Sequence, residues 1–213
     1  MFTQPFCVRT DRYASAMLVV GLGAFLTPII TLATPLSVTV LDSAGAPLPD
    51  SVVSVEVRGE RQQAEPGTTA EMAQRGRAFV PKVVVIQTGT ALQLPNFDTV
   101  RHHVYSFSSI KPFEIKLYSG TPAAPLVFDK PGTAVLGCNI HDRMSGFVYV
   151  VNTTRFATSR ADGVASLDVP AGEHTLQVWH PGLSDQLPPW RQQIKIMGAN
   201  STAVMVKLAG ITR

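Results

Sequence analysis

The chain has 213 residues, of which 45% are hydrophobic, and a formal net charge of +3. That is enough apolar material for one large domain or two small ones. The charge is too small, and its basic residues too little interleaved with aromatics, for nucleic-acid binding. Arg9 and Arg12 precede the apolar stretch "AMLVVGLGAFLTPIITLA", and Thr31-Leu32-Ala33 offers small residues for cleavage. This is the pattern of an export signal over residues 1–33, with no membrane span left after its removal. Its length also approaches that of a membrane anchor.

Beyond the signal, 16 glycines and 16 prolines punctuate short Val-rich runs, and no stretch sustains a helical period. "LSVTVLD" and "SVVSVEV" alternate as strands on either side of the turn-forming "SAGAPLPD". "RGERQQAEPGTT" reads as a linker. "GRAFVPKVVVIQTGTALQLPNFD", "HHVYSFS", "FEIKLYSG", "GTAVLGC" and "GFVYVV" then form a block of short strands. "FATSRADGVASLDVPAGEHTLQVWHPG", "RQQIKI" and "TAVMVKL" are again strand and turn. The fold class is all-β, as two sandwiches.

The most informative segment is "GCNIHDRMSGFVYVV", residues 137–151. If "LGC" ends one strand and "GFVYVV" is the next, Cys138, His141 and Met144 lie on one connecting loop. Once the signal is removed, Cys138 is the only cysteine, so no internal disulfide is possible. A free thiol is hazardous in an oxidising compartment, which favours a metal. A thiolate, an imidazole and a thioether suit copper, and two histidines, one cysteine and a weak axial methionine make a blue electron-transfer site. The second histidine comes from "NFDTVRHHVYSFS", as His102 or His103. Strand parity favours His103 if Phe107 faces the core. A core cysteine, a filler methionine and a surface histidine are the ordinary readings of these residues taken singly. His174 and His180 read as structural, Asp142 and Arg143 as a solvated rim, and Trp179 as core. No catalytic constellation is present, so an enzyme is not expected.

Residues 68–151 resemble the cupredoxins, the family of plastocyanin and amicyanin, through the C-x₂-H-x₂-M loop and the "HHVYSFS" strand. The run "PNFDTVRHHVYSFS…FEIKLYSG…PGTAVLGCNIHDRM" is similar to exported plastocyanin-like proteins labelled methylamine utilization proteins. The resemblance implies a Greek-key sandwich over residues 65–151 holding one type 1 copper. Its ligands would be His102, Cys138, His141 and Met144. His103 stands where the family has Asn, and with Asn139 it would clasp the two ligand strands together.

In the flanking pieces 36–58 and 152–209, "VTVLDSAGAPLPDSVVSVEV" and "SRADGVASLDVPAGEHTLQVWHPG" resemble the two parts of a carboxypeptidase-regulatory-like (transthyretin-like) sandwich, which implies a split domain of residues 34–64 and 152–213. The copper block would then be inserted in, or packed on, that second Ig-like domain. The function implied is periplasmic electron transfer with an unnamed redox partner. Copper binding for delivery, or a structural or adhesive role, are the alternatives.

Overall fold

A computed structural model of the protein describes residues 33–183, 187–198 and 200–211. The predicted export signal lies outside the described residues except for Ala33, which opens the first strand. The described residues form strands and no helix. In chain order the strands are β1 (Ala33–Asp42), β2 (Val52–Glu56), β3 (Thr69–Glu71), β4 (Ala73–Arg75), β5 (Ala78–Val80) and β6 (Val83–Gln87). Next come β7 (Ala91–Gln93), β8 (His102–Ser106), β9 (Phe113–Tyr118), β10 (Leu126–Val127), β11 (Gly132–Cys138) and β12 (Ser145–Val151). The last five are β13 (Arg155–Thr158), β14 (Val164–Pro170), β15 (Gly172–Trp179), β16 (Trp190–Ile196) and β17 (Thr202–Leu208). The protein is all-β, and among the described residues no helix is long and apolar enough to cross a membrane.

β1 and β2 pair with strands that follow them by more than a hundred residues. β1 lies between β14 and β17, with Val38 opposite Ala165 and Val204. β2 lies between β13 and β15, with Val55 opposite Arg155 and Leu176. These two sheets close on one aliphatic core that includes Leu36, Val38, Val53, Val55, Leu176, Val178 and Ile194. Strict alternation along β1 puts Leu36, Val38 and Val40 inward and Ser37, Thr39 and Leu41 outward. The "DG" turn between β13 and β14 needs its glycine. Gly163 has φ +76°, and a Cβ there would stand 2.6 Å from the Val40 carbonyl oxygen.

Between β2 and β13 the chain builds a second sandwich. One sheet has the order β6-β12-β11-β8-β9, with β6 parallel to β12 and the other neighbours antiparallel. A three-stranded sheet, β10-β7-β3, and the β4-β5 hairpin complete it. Met72, Leu92, Leu94, Val104, Phe128, Leu136 and Val148 fill the core. The linker "RGERQQAEPGTT" is turn and coil until Thr69 enters β3, and Arg155 grips it through a salt bridge to Glu60 at 2.8 Å.

The run "GFVYVV" does not alternate, because β12 is buried on both faces. Val148 and Val150 face the core of their own sandwich. Phe147, Tyr149 and Val151 face a junction with Val52 and Trp179 of the aliphatic sandwich. There the Trp179 indole stacks on Tyr149, with ring centroids 4.6 Å apart. Burial pushes the Tyr149 hydroxyl up to about 12. Trp179 is thus core, but core between two sandwiches.

Candidate metal centre

β8 and β11 lie side by side and present alternate residues to the core. His102, Val104 and Ser106 face inward from β8, as do Ala134, Leu136 and Cys138 from β11. The strands pair with Gly137 opposite Tyr105 and Cys138 opposite Val104. The Tyr105 ring packs against Gly137, where a Cβ would sit 2.7 Å from its Cζ, so a side chain before the cysteine would have to push that ring aside. Past Cys138 the chain turns back at once. The Met144 amide donates to the His141 carbonyl and the Cys138 amide to the Met144 carbonyl, at 2.9 and 3.2 Å. These bonds close residues 138–144 into a tight loop.

The two adjacent histidines face opposite sides of β8. His102 is fully buried, and its Nδ1 lies 3.5 Å from the Cys138 Sγ. His141, half-buried, approaches the same sulfur with its Nδ1 at 3.7 Å. The two imidazole rings are 5.0 Å apart, and the three donor atoms all lie within 4.8 Å of one another. Phe107 is 86% exposed, so the premise that would have turned His103 inward does not hold. His103 points outward and its Nε2 meets the Glu114 carboxylate at 2.9 Å.

The expected link between His103 and Asn139 exists, but through the main chain. The Asn139 amide donates to the His103 carbonyl at 3.0 Å and extends the β8-β11 ladder past the cysteine. Any residue at 103 can accept that bond, because a carbonyl oxygen does not depend on the side chain. Cys138 and Met144 are each 4% exposed and share one core cluster. Asp142 and Arg143 are exposed. His174 donates its Nε2 hydrogen to the Pro170 carbonyl, and His180 Nδ1 accepts from the Gly182 amide, both away from this site.

Asp98 is a site residue that the motif does not reveal. Its Oδ2 lies 3.0 Å from His102 Nε2. The carboxylate also accepts the Gly76 and Arg77 amides, at 2.6 and 2.9 Å. Desolvation works to raise its pKa, but the Arg77 and Gly76 amides and His102 together bring it below the ordinary aspartate value. An ionised Asp98 accepts a hydrogen bond from Nε2–H, the tautomer that leaves Nδ1 without a hydrogen and facing the thiol. Asn96 holds the loop that carries it. The buried Asn96 side chain donates to the Val100 and Tyr118 carbonyls and accepts the Asp98 amide. The sequence signal for this is "NFD" ahead of the histidines, since Asn and Asp side chains organise turns by bonding nearby backbone.

A β-bulge braces the far side. Two steps along β8, from His102 to Val104, oppose three along β9, from Tyr118 to Ile115. The Tyr118 hydroxyl donates to the Leu94 carbonyl at 2.7 Å, and burial pushes it up to about 12. A soft thiol flanked by two imidazole nitrogens, with a buried thioether on the residue just before β12, is a set of side chains suited to copper.

The chain is similar over part of its length to solved structures of copper proteins. The chain matches a Cu-containing nitrite reductase from Thermus scotoductus over 46% of its own length and 25% of the enzyme's, at 27% identity and a TM-score of 0.36. It matches a purple cupredoxin from Nitrosopumilus maritimus over 38% of its length and 98% of that chain, at 22% identity and a TM-score of 0.35. Amicyanin from Paracoccus versutus aligns over 46% of this chain and 97% of its own, at 18% identity and a TM-score of 0.33. The chain spans a quarter of the nitrite reductase it matches. No protein-family profile and no curated protein matches the chain.

Proposed function

We propose that this chain is an exported blue-copper protein that carries single electrons, in which His102, Cys138 and His141 would hold the copper strongly and Met144 weakly. The observation that carries the reading is the convergence of both Nδ1 atoms on the Cys138 sulfur within 4.8 Å. One copper bound there supplies one-electron chemistry. The protein's part is to keep that site rigid and largely dry. His102 is locked by Asp98, Cys138 by two strands, and Met144 by the loop it closes. A site that does not reorganise suits electron transfer better than the release of a cargo metal. His141, the most exposed of the four, marks where an electron would pass to or from a partner. We assign no catalysis to the chain, so the copper-loaded protein should not reduce nitrite.

Residues 65–151 are proposed as the copper domain, inserted in a domain made of 34–64 and 152–213. The pairing of β1 with β14 and β17, and of β2 with β13 and β15, supports that division. The basic and apolar N-terminus supports a periplasmic location.

The test is Cu(II) addition to the purified protein. An intense visible thiolate charge-transfer band should appear and saturate at one copper per chain. Cys138→Ser and His102→Ala should abolish it, while His103→Asn should keep it. A colourless adduct with a tetragonal EPR signal would instead support copper binding for delivery.

A further inference from the structure

Gln74 in β4 is fully buried, and it commits most of its hydrogen-bonding groups to the segment that leads into Asp98. Its backbone amide donates to the Pro95 carbonyl at 2.8 Å, and its carbonyl accepts the Phe97 amide at 3.0 Å. Its side-chain Nε2 donates to the Leu94 carbonyl at 3.0 Å and to the Tyr118 hydroxyl. The Tyr118 hydroxyl in turn donates to the same Leu94 carbonyl. Among the described residues, the Gln74 Oε1 has no hydrogen-bond partner. Reversing the amide does not help, because Oε1 would then face the Leu94 carbonyl, which can only accept.

A buried acceptor without a partner carries its full desolvation cost. The fold does not require the group that incurs it. With an apolar residue at 74, the Leu94 carbonyl keeps its bond from Tyr118, and the two backbone bonds of residue 74 stay as they are. What an apolar side chain cannot supply is direction. The two Nε2 hydrogens fix the Tyr118 hydroxyl and the Leu94 carbonyl relative to each other.

Tyr118 is a sensitive place for such a constraint. It stands opposite His102 in the β8-β9 ladder, where the bulge begins, and it packs against the core cluster that contains Cys138 and Met144. Its carbonyl accepts a hydrogen from the Asn96 side chain, whose oxygen receives the Asp98 amide. The triangle of Gln74, Tyr118 and Leu94 therefore ties the segment carrying Asp98 to the strand paired with His102. Those are the two ends that the Asp98–His102 bond must span.

The geometry points to Gln74 as a positioning residue for the metal centre, which fixes Tyr118 against the Cys138 cluster and thereby keeps His102 in register with Asp98. It acts through Tyr118 and Leu94, without a hydrogen bond of its own to any of the four proposed ligands. The effect on His102 stands on the metal-free protein, while the effect on copper rests on the copper reading given above.

The test compares Gln74→Leu and Tyr118→Phe with the wild type as full chains. In the metal-free protein near neutral pH, nitrogen-15 NMR of the imidazoles should show His102 in the single Nε2–H form that Asp98 selects. Gln74→Leu should broaden that signal or mix in the Nδ1–H form. Its urea midpoint should match or exceed that of the wild type, because the unpaired oxygen is gone. In the copper-loaded protein it should weaken binding about fivefold to tenfold in chelator competition and shift the visible band. That is less than the roughly 10–100-fold typical of a group bonded directly to a ligand. Tyr118→Phe should act in the same direction, and the double variant should be no weaker than the worse single one, since the two residues act as a unit. If Gln74→Leu does not fold, Tyr118→Phe carries the same test, because it leaves Gln74 its bond to Leu94. A His102 signal indifferent to the folded variants, whatever happens to the urea midpoint, would reduce Gln74 to a structural residue and overturn the proposal. A wild type that never turns blue, with a His102 signal that responds to Gln74→Leu, would fail the copper reading and keep the positioning role.

Discussion

The two sandwiches of this chain are both β-structures of similar strand length, but their cores are built from different materials. The hydrophobic core closed by β1, β2 and β13–β17 is built of Leu, Val, Ile and Ala side chains, with the polar side chains of Ser51, Ser54, Ser159 and His174 buried at its margins. The core of β3–β12 contains Met72, Phe128, Cys138 and Met144, and fully buried beside them are the polar side chains of His102, Gln74 and Ser106. Aliphatic burial is strong but non-directional, so it stabilises without orienting any particular group. A buried polar group must find its partners or lose roughly 1–3 kcal/mol, so it specifies geometry. The first sandwich is therefore suited to hold the structure up, and the second to hold donor atoms at set distances. The junction of Trp179 with Tyr149 and Phe147 joins support to site.

Removing the junction should have the largest effect. Trp179→Ala takes away a buried indole and should cost about 3–5 kcal/mol. Because that cost falls on the contact between the two regions, urea unfolding should change from one transition into two. One transition, merely shifted to lower urea, would mean that the sandwiches do not unfold independently. Next is Leu176→Ala, within the aliphatic core, which should lower stability by about 2–5 kcal/mol. The folded variant should still show an unshifted copper band, since its loss is not directional. A band displaced by this distant cavity would contradict the division of labour between the two cores.

The opposite pattern is expected of Asp98→Ala. It should weaken copper binding about 10–100-fold by freeing His102 to rotate, measured by competition with a chelator. Its effect on the urea midpoint should be smaller than that of Leu176→Ala. The smallest effect belongs to the linker. The hydrogen bonds and charge of Arg155 hold the Glu60 carboxyl below its ordinary value of 4.5. The lowered value means that this stabilisation is complete above pH 4.5 and is lost as pH falls through the folded-state value. Both side chains are partly solvated, so Glu60→Gln should cost no more than about 1 kcal/mol at neutral pH. The wild type and variant should converge in melting temperature once pH falls below that lowered folded-state value. A gap that persists there would assign the effect to packing.

Much of the architecture is legible along the chain. The alternation of "LSVTVLD" announces a strand with one wet face, and β1 has that burial pattern. The five strands of the tail, β13–β17, occupy the runs that read as strands. The three-residue strands β3 and β4 are not legible, because so few residues carry no period and depend on neighbours supplied by the rest of the sandwich.

For the site, the spacing of Cys138, His141 and Met144 is a local property. Donors within seven residues of one another can be gathered by a single loop, whatever the rest of the chain does. The choice between His102 and His103 is different in kind. Adjacent residues on a strand point to opposite faces, and which face is inner depends on where distant strands pack. Phe107, a large apolar residue, suggests one face, and its 86% exposure reverses the inference. Asp98 likewise carries no signature of its own, because its three partners come from a turn some twenty residues upstream and a strand just downstream. Short-range spacing is written in the order of residues. Facing and long-range hydrogen bonding exist only once the sheets have closed, because each requires two segments whose separation the folded chain alone sets.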